Sequence, residues 1–496
     1  MEYSRSVLAN YGKSSNGRNL AAYLKKIPHL SLISRIAKKY DINIWLVGGF
    51  LRDAYLKKKK LLNDFDFCVE KNTFSMVREF SQKISSKFIV LDKTNESLRV
   101  ILRKKNISYT YDFTLIRAKD FYLDVSLRDF SINTLAVNLK DKKTKLIDFF
   151  NAKGDLRHGI VRVLNEEVIP QDPLRILRGF SFMANYGFRI EARTLKLLAK
   201  YKSLIKKVSG ERINEELFKI LASAESFKVI MLMDKLKIID EIIPEITKMR
   251  GVSQGAYHHL DVWKHSLEAL RQFELFVRRV AVKNEEFSSY LNEELTFNRR
   301  RVQIIKLACI LHDIGKPAAK KRLKKKTIFY IHEKIGRDLA EGISKKLRLS
   351  LREKEILKKL IFWHLRPGYL ADQINPSKRA IYRFFRDTQD AGAAVIFLSL
   401  ADWKATRGPL TDMAKRKKHE RVMLGLVKKY FFDKKKKPIP SIIDGYDIMT
   451  KFHLTSSPLV GDILKKVKEE QALGKVSTKT GAYSIARIII TKLKKS

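Results

Sequence analysis

At 496 residues the chain is too long for one hydrophobic core, and 45% hydrophobic with 31% charged residues is globular composition rather than disorder. Lys and Arg number 101 against 53 Asp and Glu, a formal net charge of +48, so the expected partner is a polyanion; no strongly amphipathic basic helix with an aromatic face points to lipid, and nucleic acid leads. Two cysteines, Cys68 and Cys309, exclude a disulfide framework and a zinc–thiolate cluster; with no apolar leader and no run long enough to span a bilayer, the expectation is a cytoplasmic protein without a membrane partner.

In chain order, residues 1–20 are polar and read as an N-terminal extension. Over 20–39 the apolar spacing is helical, divided by Pro28. Ile44-Trp45-Leu46-Val47 is strand-like and stops at Gly48-Gly49. A helical segment carrying Arg52 and Asp53 follows, then a second short strand presents Asp64-Phe65-Asp66. Residues 88–92, 98–103 and 107–113 read as strands, the last delivering Asp112. Residues 124–139 start polar and become helix or strand, and 146–150 (LIDFF) give another short strand. Beyond 150 helical periodicity takes over: 173–185 reads as one helix with Asp172 as N-cap and proline at its first position, and 210–224 as another behind Ser209. Six of the ten histidines fall in 251–405: His258, His259, His265, His312, His332 and His364. The last third is lysine-rich and helical, with a plausible linker at 434–440 and lysine clusters at 57–60, 320–326, 415–418 and 434–437.

Residues two apart on a strand share a face, so Asp64 and Asp66 aim two carboxylates at one spot while Phe65 packs into the core. Glycines at a strand-to-helix turn allow close backbone approach to an anion. Hard oxygen ligands beside an anion cradle suit a Mg2+–triphosphate site. Asp172 and Arg175, three apart on a helix, fall on one face, where a carboxylate and a guanidinium can read the edge of a base. The plain alternative is that an Asp before proline is simply a helix cap.

The run LVGGFLRD…DFDF, then Leu127-Arg128-Asp129-Phe130-Ser131-Ile132-Asn133, Gln171-Asp172-Pro173-Leu174-Arg175-Ile176-Leu177-Arg178, and the segment from Glu211-Arg212 to Ile220 resemble, in order, the signatures of class II tRNA nucleotidyltransferases (CCA-adding enzymes) and bacterial poly(A) polymerases. The resemblance implies an α+β chain: a small mixed β-sheet nucleotidyltransferase head (21–150), a helical neck and body (151–250), an HD domain (251–405) and a basic helical tail (406–496) that would contact the tRNA acceptor arm. It implies template-independent addition of CCA, from CTP and ATP, to the 3′ end of tRNA by two-metal nucleotidyl transfer. Asp64 and Asp66 would hold Mg2+ with Asp112 as third carboxylate. Gly48, Gly49, Arg52, Asp53, Arg128, Asp129, Asn133 and Arg178 would bind the nucleotide, and Asp172 with Arg175 would select its base. Gln171 stands where the family usually has Glu, which removes a charge beside the base reader. Addition of A alone, of CC alone, or of a poly(A) tail is the alternative within the class.

His265, the pair His312-Asp313, and Asp402 follow the order of an HD-superfamily phosphohydrolase, and the surrounding text resembles the HD domains fused to many bacterial enzymes of this family. Imidazoles with carboxylates suit a divalent metal that could activate water for phosphoester hydrolysis. His332 and His364 would extend the ligand set or bind phosphate. The alternative from another class is therefore an HD-type phosphohydrolase acting on RNA ends.

Overall fold

The computed structural model describes residues 17–58, 63–104, 107–141, 145–255, 259–323, 326–373, 376–407, 413–436 and 440–493. His258, residues 1–16, and parts of the lysine clusters and of the 434–440 linker lie outside them. The chain forms two compact units, Met1–Ile242 and Ile243–Ser496.

The first unit is built on a six-stranded sheet of β1 (Ile44–Val47), β2 (Asp64–Val69), β3 (Phe88–Asp92), β4 (Ser97–Lys104), β5 (Ile107–Leu115) and β6 (Ala136–Asn138), in the order β3-β4-β5-β2-β1-β6. Only β2 and β5 run parallel, with Asp66 beside Asp112; the other pairings are antiparallel. Alternation along β2 and β5 sorts the side chains. Phe65, Phe67, Tyr111 and Phe113 turn inward, and Tyr111 and Phe113 pack on Phe80 of the helix Thr73–Lys83, with ring centroids 4.9 Å apart for Phe67–Phe113 and 5.3 Å for Phe80–Tyr111. Each fully buried ring contributes about 1.5–3 kcal/mol. That packing fixes the register, and a slip of one residue would turn the carboxylates into the core.

Pro28 divides the leading segment as its spacing predicts, into Gly17–Leu24 and Leu30–Lys39. Residues 124–139 resolve into the end of the helix Phe121–Ser126, a 3-10 turn at Ser131–Asn133, and β6. Two expectations need correction. The strand expected at 146–150 is a single bridge, Ala136 with Ile147, because Asp148 accepts from the Ala152 and Lys153 amides and turns the chain into the helix Ala152–His158. The helix expected at 173–185 is Arg175–Tyr186; Asp172 stands before it with extended backbone, its carboxylate accepting from the Leu174 amide at 3.3 Å. Asp172 and Arg175 therefore do not share a helix face.

In the second unit the near-apolar run 391–401 lies in the buried helix Gly392–Ala405, packed on Val262–Arg279 through Phe276 and Phe397, 5.0 Å between centroids. Among the described residues no helix is long and apolar enough to cross a membrane. Arg301–Leu311 packs on Val262–Arg279 and carries a fully buried ion pair, Lys306 to Glu274 at 3.0 Å. A Cβ at Gly315 would lie 2.1 Å from the His332 carbonyl oxygen and 2.6 Å from the Gly336 nitrogen. The turn after His312-Asp313 thus meets the start of the helix His332–Lys346 backbone to backbone, which only glycine permits. Tail helices Gly445–Phe452, Pro458–Ala472 and Lys479–Leu493 share a small core of Ile448, Ile463, Val467, Ala482 and Ala486.

Candidate active site and metal centre

Asp66 sits in the middle of the sheet, between Val47 of β1 and Asp112 of β5, and Asp64 is two residues away on the same face. Asp64 is exposed; Asp66 and Asp112 are half-buried. Burial pushes the Asp66 carboxyl up, and the Asp112 and Asp64 charges add to this, while Arg128 and Arg178 oppose it. A site that gathers carboxylates at this cost fits a divalent cation, which would relieve it. The three carboxylates do not bring ligand atoms within 4.8 Å of one another, and both oxygens of Asp112 are engaged by Arg99, at 2.7 Å each.

Gly48 has φ +83°, outside the range of L side chains, and a Cβ there would meet Asp66 Oδ2 at 3.1 Å and Arg128 Nη1 at 3.4 Å. Its amide donates to the Leu135 carbonyl, so its contribution is a bare surface beside the carboxylate rather than an anion-binding N–H, a correction to the cradle expected of it. Gly49 opens the helix Gly49–Tyr55. Arg128 lies next to both Gly48 and Asp66, donates to Cys68 Sγ at 3.3 Å, and has a buried Nε with no hydrogen-bond partner among the described residues. Burial alone would lower the Arg128 guanidinium; the Cys68, Asp66 and Asp124 groups facing it raise it instead.

Arg52 is placed differently from the expectation that it faces phosphate. Its side chain is 4% exposed and donates to Asp53 at 3.0 Å, to Asn133 at 2.7 Å and to the Tyr186 hydroxyl, with its guanidinium over the Phe182 and Tyr186 rings. Asp53 also accepts from the Tyr186 hydroxyl at 2.7 Å. Asn133 donates to Asp129 at 2.8 Å, and Asp129 accepts from Arg178 at 2.7 Å. Burial works to raise Asp129, but the Arg178 charge and the Asn133 bond outweigh it and hold the carboxyl low; Asp129 in turn holds Arg178 above its usual range. Arg52, Asp53, Asn133, Asp129, Arg178 and Tyr186 form one polar brace that joins the helix Gly49–Tyr55 and the turn ahead of β6 to the helix Arg175–Tyr186. Tyr186 escaped the sequence reading because nothing local marks it.

Asp172 is paired with Arg212 at 2.8 Å, and Arg175 donates to the Val168 carbonyl at 2.9 Å. Arg212 lies on the helix Gly210–Ala222, inside the Glu211–Ile220 segment singled out in the sequence, but its pairing with Asp172 spans 40 positions.

In the second unit the six residues expected to cluster do so. His265 Nε2 lies 2.8 Å from Asp402 Oδ1, and His312 Nε2 lies 3.6 Å from the same oxygen and 3.3 Å from Asp313 Oδ2. Asp313 Oδ1 lies 3.5 Å from His332 Nε2 and 3.7 Å from His364 Nε2. The Nδ1 atoms of His312, His332 and His364 face the carbonyls of Cys309, Phe329 and Ile361 at 3.0, 2.7 and 2.6 Å. A carbonyl only accepts, so each Nδ1 carries a proton, and each Nε2 points inward with a lone pair to offer once the ring is neutral. Those three Nε2 atoms and Asp313 Oδ1 are buried without a hydrogen-bond partner among the described residues. Orphaned nitrogen and oxygen acceptors around one centre are a donor set fitted to a divalent cation. The sequence reading missed Lys316, whose ammonium is 2.6 Å from Asp313 Oδ2 and 2.6 Å from Gln254 Oε1. Burial would raise Asp313 and Asp402; in the cation-free site the hydrogen bonds and charge of His312, with His265 for Asp402 and Lys316 for Asp313, hold both well below the carboxylate range, and against its own burial the two carboxylates push His312 up to about 10.

The poly A polymerase head domain matches residues 44–162, the probable RNA and SrmB-binding site of polymerase A matches 187–249, and the HD domain matches 262–407. The chain is 27% identical to an A-adding tRNA nucleotidyltransferase of Deinococcus radiodurans, over 72% of this chain and 76% of that one. It is 26% identical to a CC-adding tRNA nucleotidyltransferase of Thermus thermophilus, over 88% and 91%. Its fold is similar to that of the Thermotoga maritima CCA-adding enzyme complexed with tRNA, with a TM-score of 0.62 and 19% identity over 96% of this chain and 98% of that one.

Proposed function

The chain belongs to the family of class II tRNA nucleotidyltransferases and bacterial poly(A) polymerases with a fused HD domain, and from that premise we propose that it adds nucleotides to the 3′ end of tRNA without a template, completing CCA from CTP and ATP. The observation that carries the reading is the register of β1, β2 and β5, which sets Asp64, Asp66 and Asp112 on one sheet face beside the Gly48 turn. The net charge of +48 supports a polyanionic acceptor, and two buried thiols support a cytoplasmic location. Relatives that carry an A-adding and a CC-adding name leave the choice of nucleotide to experiment.

In this reading Asp64, Asp66 and Asp112 hold Mg2+. Bound there, the ions supply charge neutralisation for the leaving pyrophosphate and acidify the attacking 3′-hydroxyl. Arg128 faces the same spot and balances phosphate charge. Asp172 accepts from the exocyclic amine of cytosine or adenine and Arg175 donates to a ring acceptor. Arg212, 2.8 Å from Asp172, holds that carboxylate in place, a role that the charge lost at Gln171 makes more important. The brace running from Arg52 and Asp53 to Arg178 keeps the base-reading helix at a fixed distance from the sheet. The six residues of the HD centre hold a further divalent metal, and the division at 21–150, 151–250, 251–405 and 406–496 follows these roles.

The test supplies tRNA ending before CCA, after C and after CC, with labelled CTP or ATP. Incorporation of both, stopping after three additions, supports the reading. Label from ATP alone, from CTP alone, or in long A tails would replace it with the corresponding narrower activity. Asp64→Ala should abolish addition; undiminished activity would overturn the assignment of the site.

A further inference from the structure

The third carboxylate of the head is not left to solvent. β4 and β5 run antiparallel and set Arg99 opposite Asp112. Arg99 Nε donates to Oδ1 and Nη2 to Oδ2, each at 2.7 Å, the planar two-point fork that only a guanidinium makes. The Arg99 side chain is 39% exposed and that of Asp112 25%, so the fork stands at the edge of water and can open. Asp64 and Asp66 lie on the same face, and a face carrying three carboxylates needs a positive charge when no metal is bound. The Asp112 hydrogen bonds, with Asp64 and Asp66 beyond them, hold the Arg99 guanidinium above its usual range against burial.

We propose that Arg99 is a built-in counter-cation of the nucleotidyl-transfer site: it holds Asp112 in the cation-free protein and competes with a divalent cation for that carboxylate. The inference rests on Asp112 being a ligand. A cation that takes an Asp112 oxygen must open the fork or bind beside a fixed positive charge, and either lowers its affinity. A nucleotide brings its own phosphate charge and tips the balance, so loading of the head is tied to the arrival of the triphosphate. Arg99 acts through Asp112 and is a positioning residue.

The experiment measures Mn2+ binding to the full chain without nucleotide or RNA, from the free-ion electron paramagnetic resonance signal. Mn2+ bound by the wild type and lost in Asp64→Ala is the head's share, which separates it from the HD centre. Arg99→Met should lower the Kd of that share about fivefold, the upper range for a partly exposed ion pair, and shrink the further gain produced by adding CTP. Arg99→Lys keeps the charge but cannot engage both oxygens, and should fall between. An unchanged or higher Kd in Arg99→Met, with its circular dichroism and urea midpoint intact, would reduce Arg99 to a strut and overturn the proposal. If Arg99→Met does not fold, Arg99→Lys decides alone: a Kd below wild type supports the proposal, an equal or higher one overturns it. Asp112→Asn tells the two failures apart. If it leaves the Kd unchanged, Asp112 is no ligand and the site assignment fails; if it weakens binding while Arg99→Met does not tighten it, only the counter-cation role fails.

Discussion

Replacing Gly48 with alanine tests whether the site depends on a bare backbone at the end of β1. Two costs follow from the structure. The backbone, at φ +83° and ψ −138°, lies where a residue with a Cβ is strained by about 1–3 kcal/mol. The new methyl would also stand 3.1 Å from Asp66 Oδ2, about 0.3 Å inside the ordinary limit of 3.4 Å. A misplacement of 1 Å at a reacting centre costs about a hundredfold, so a shift of about 0.3 Å costs roughly fourfold, and more if Arg128 moves too. The assay pairs urea unfolding with single-turnover addition of labelled CTP to tRNA that lacks its 3′ end. Gly48→Ala should lose about 1–3 kcal/mol of stability and at least fourfold in rate. Gly187→Ala is the control, since φ is +68° there but nothing lies within 4 Å of the added methyl. It should lose about 1 kcal/mol of stability and no rate. A Gly48→Ala protein with wild-type stability and rate, or one that loses only what Gly187→Ala loses, would refute the argument that Asp66 needs this glycine.

Lys306→Met removes one partner of a fully buried ion pair and should cost about 3–5 kcal/mol, read by urea denaturation, whereas replacing Lys306 and Glu274 together by apolar residues should recover most of the loss. Asp313→Asn should spare nucleotide addition and lower the transition metal that copurifies with the chain, measured by plasma emission; loss of addition with the fold intact would contradict two independent sites. Glu469 is held at about 2 by its hydrogen bond to Arg383, with Lys466 assisting, against an ordinary value of 4.5. A lowered carboxyl stabilises above 4.5, and this support is lost as pH falls from 4.5 towards 2. With partly exposed arginine partners its worth is about 1–2 kcal/mol. Protection factors against hydrogen exchange in the helix Pro458–Ala472, corrected for the intrinsic rate at each pH, should therefore fall over that window, and Glu469→Gln should show lowered protection already at pH 7 with a flattened acid response.

What the sequence disclosed is what depends on period and neighbours. Asp64-Phe65-Asp66 could be placed because a strand alternates, and the inward turn of Phe65 and Phe67 follows from the same rule. The HD cluster was readable because His312 and Asp313 are adjacent between an apolar run and a glycine. What stayed hidden are partners chosen by packing at long separation. Arg212 reaches Asp172 from 40 positions away, and Tyr186 reaches Arg52 and Asp53 from more than 130. No local spacing predicts such contacts. Arg99 was closer to being legible: polar residues divide two alternating runs near 105, and pairing those runs antiparallel with 104 opposite 107 sets 99 opposite 112. The error over residues 173–185 came from starting the helix directly behind Asp172: its carboxylate accepts from the Leu174 amide and from Arg212, and the helix begins only at Arg175.

Three of the four imidazoles of the HD centre share a further property. Each is held through Nδ1 by the carbonyl three residues before it, His312 by Cys309, His332 by Phe329 and His364 by Ile361, so ring plane and tautomer are set by the local turn and not by whatever sits between them. Folding has already met the entropic cost of lining up the lone pairs. A divalent cation taken up by this cluster should therefore exchange by size and donor preference with little change of shape, and a chelator should then remove stability from the unit without unravelling it.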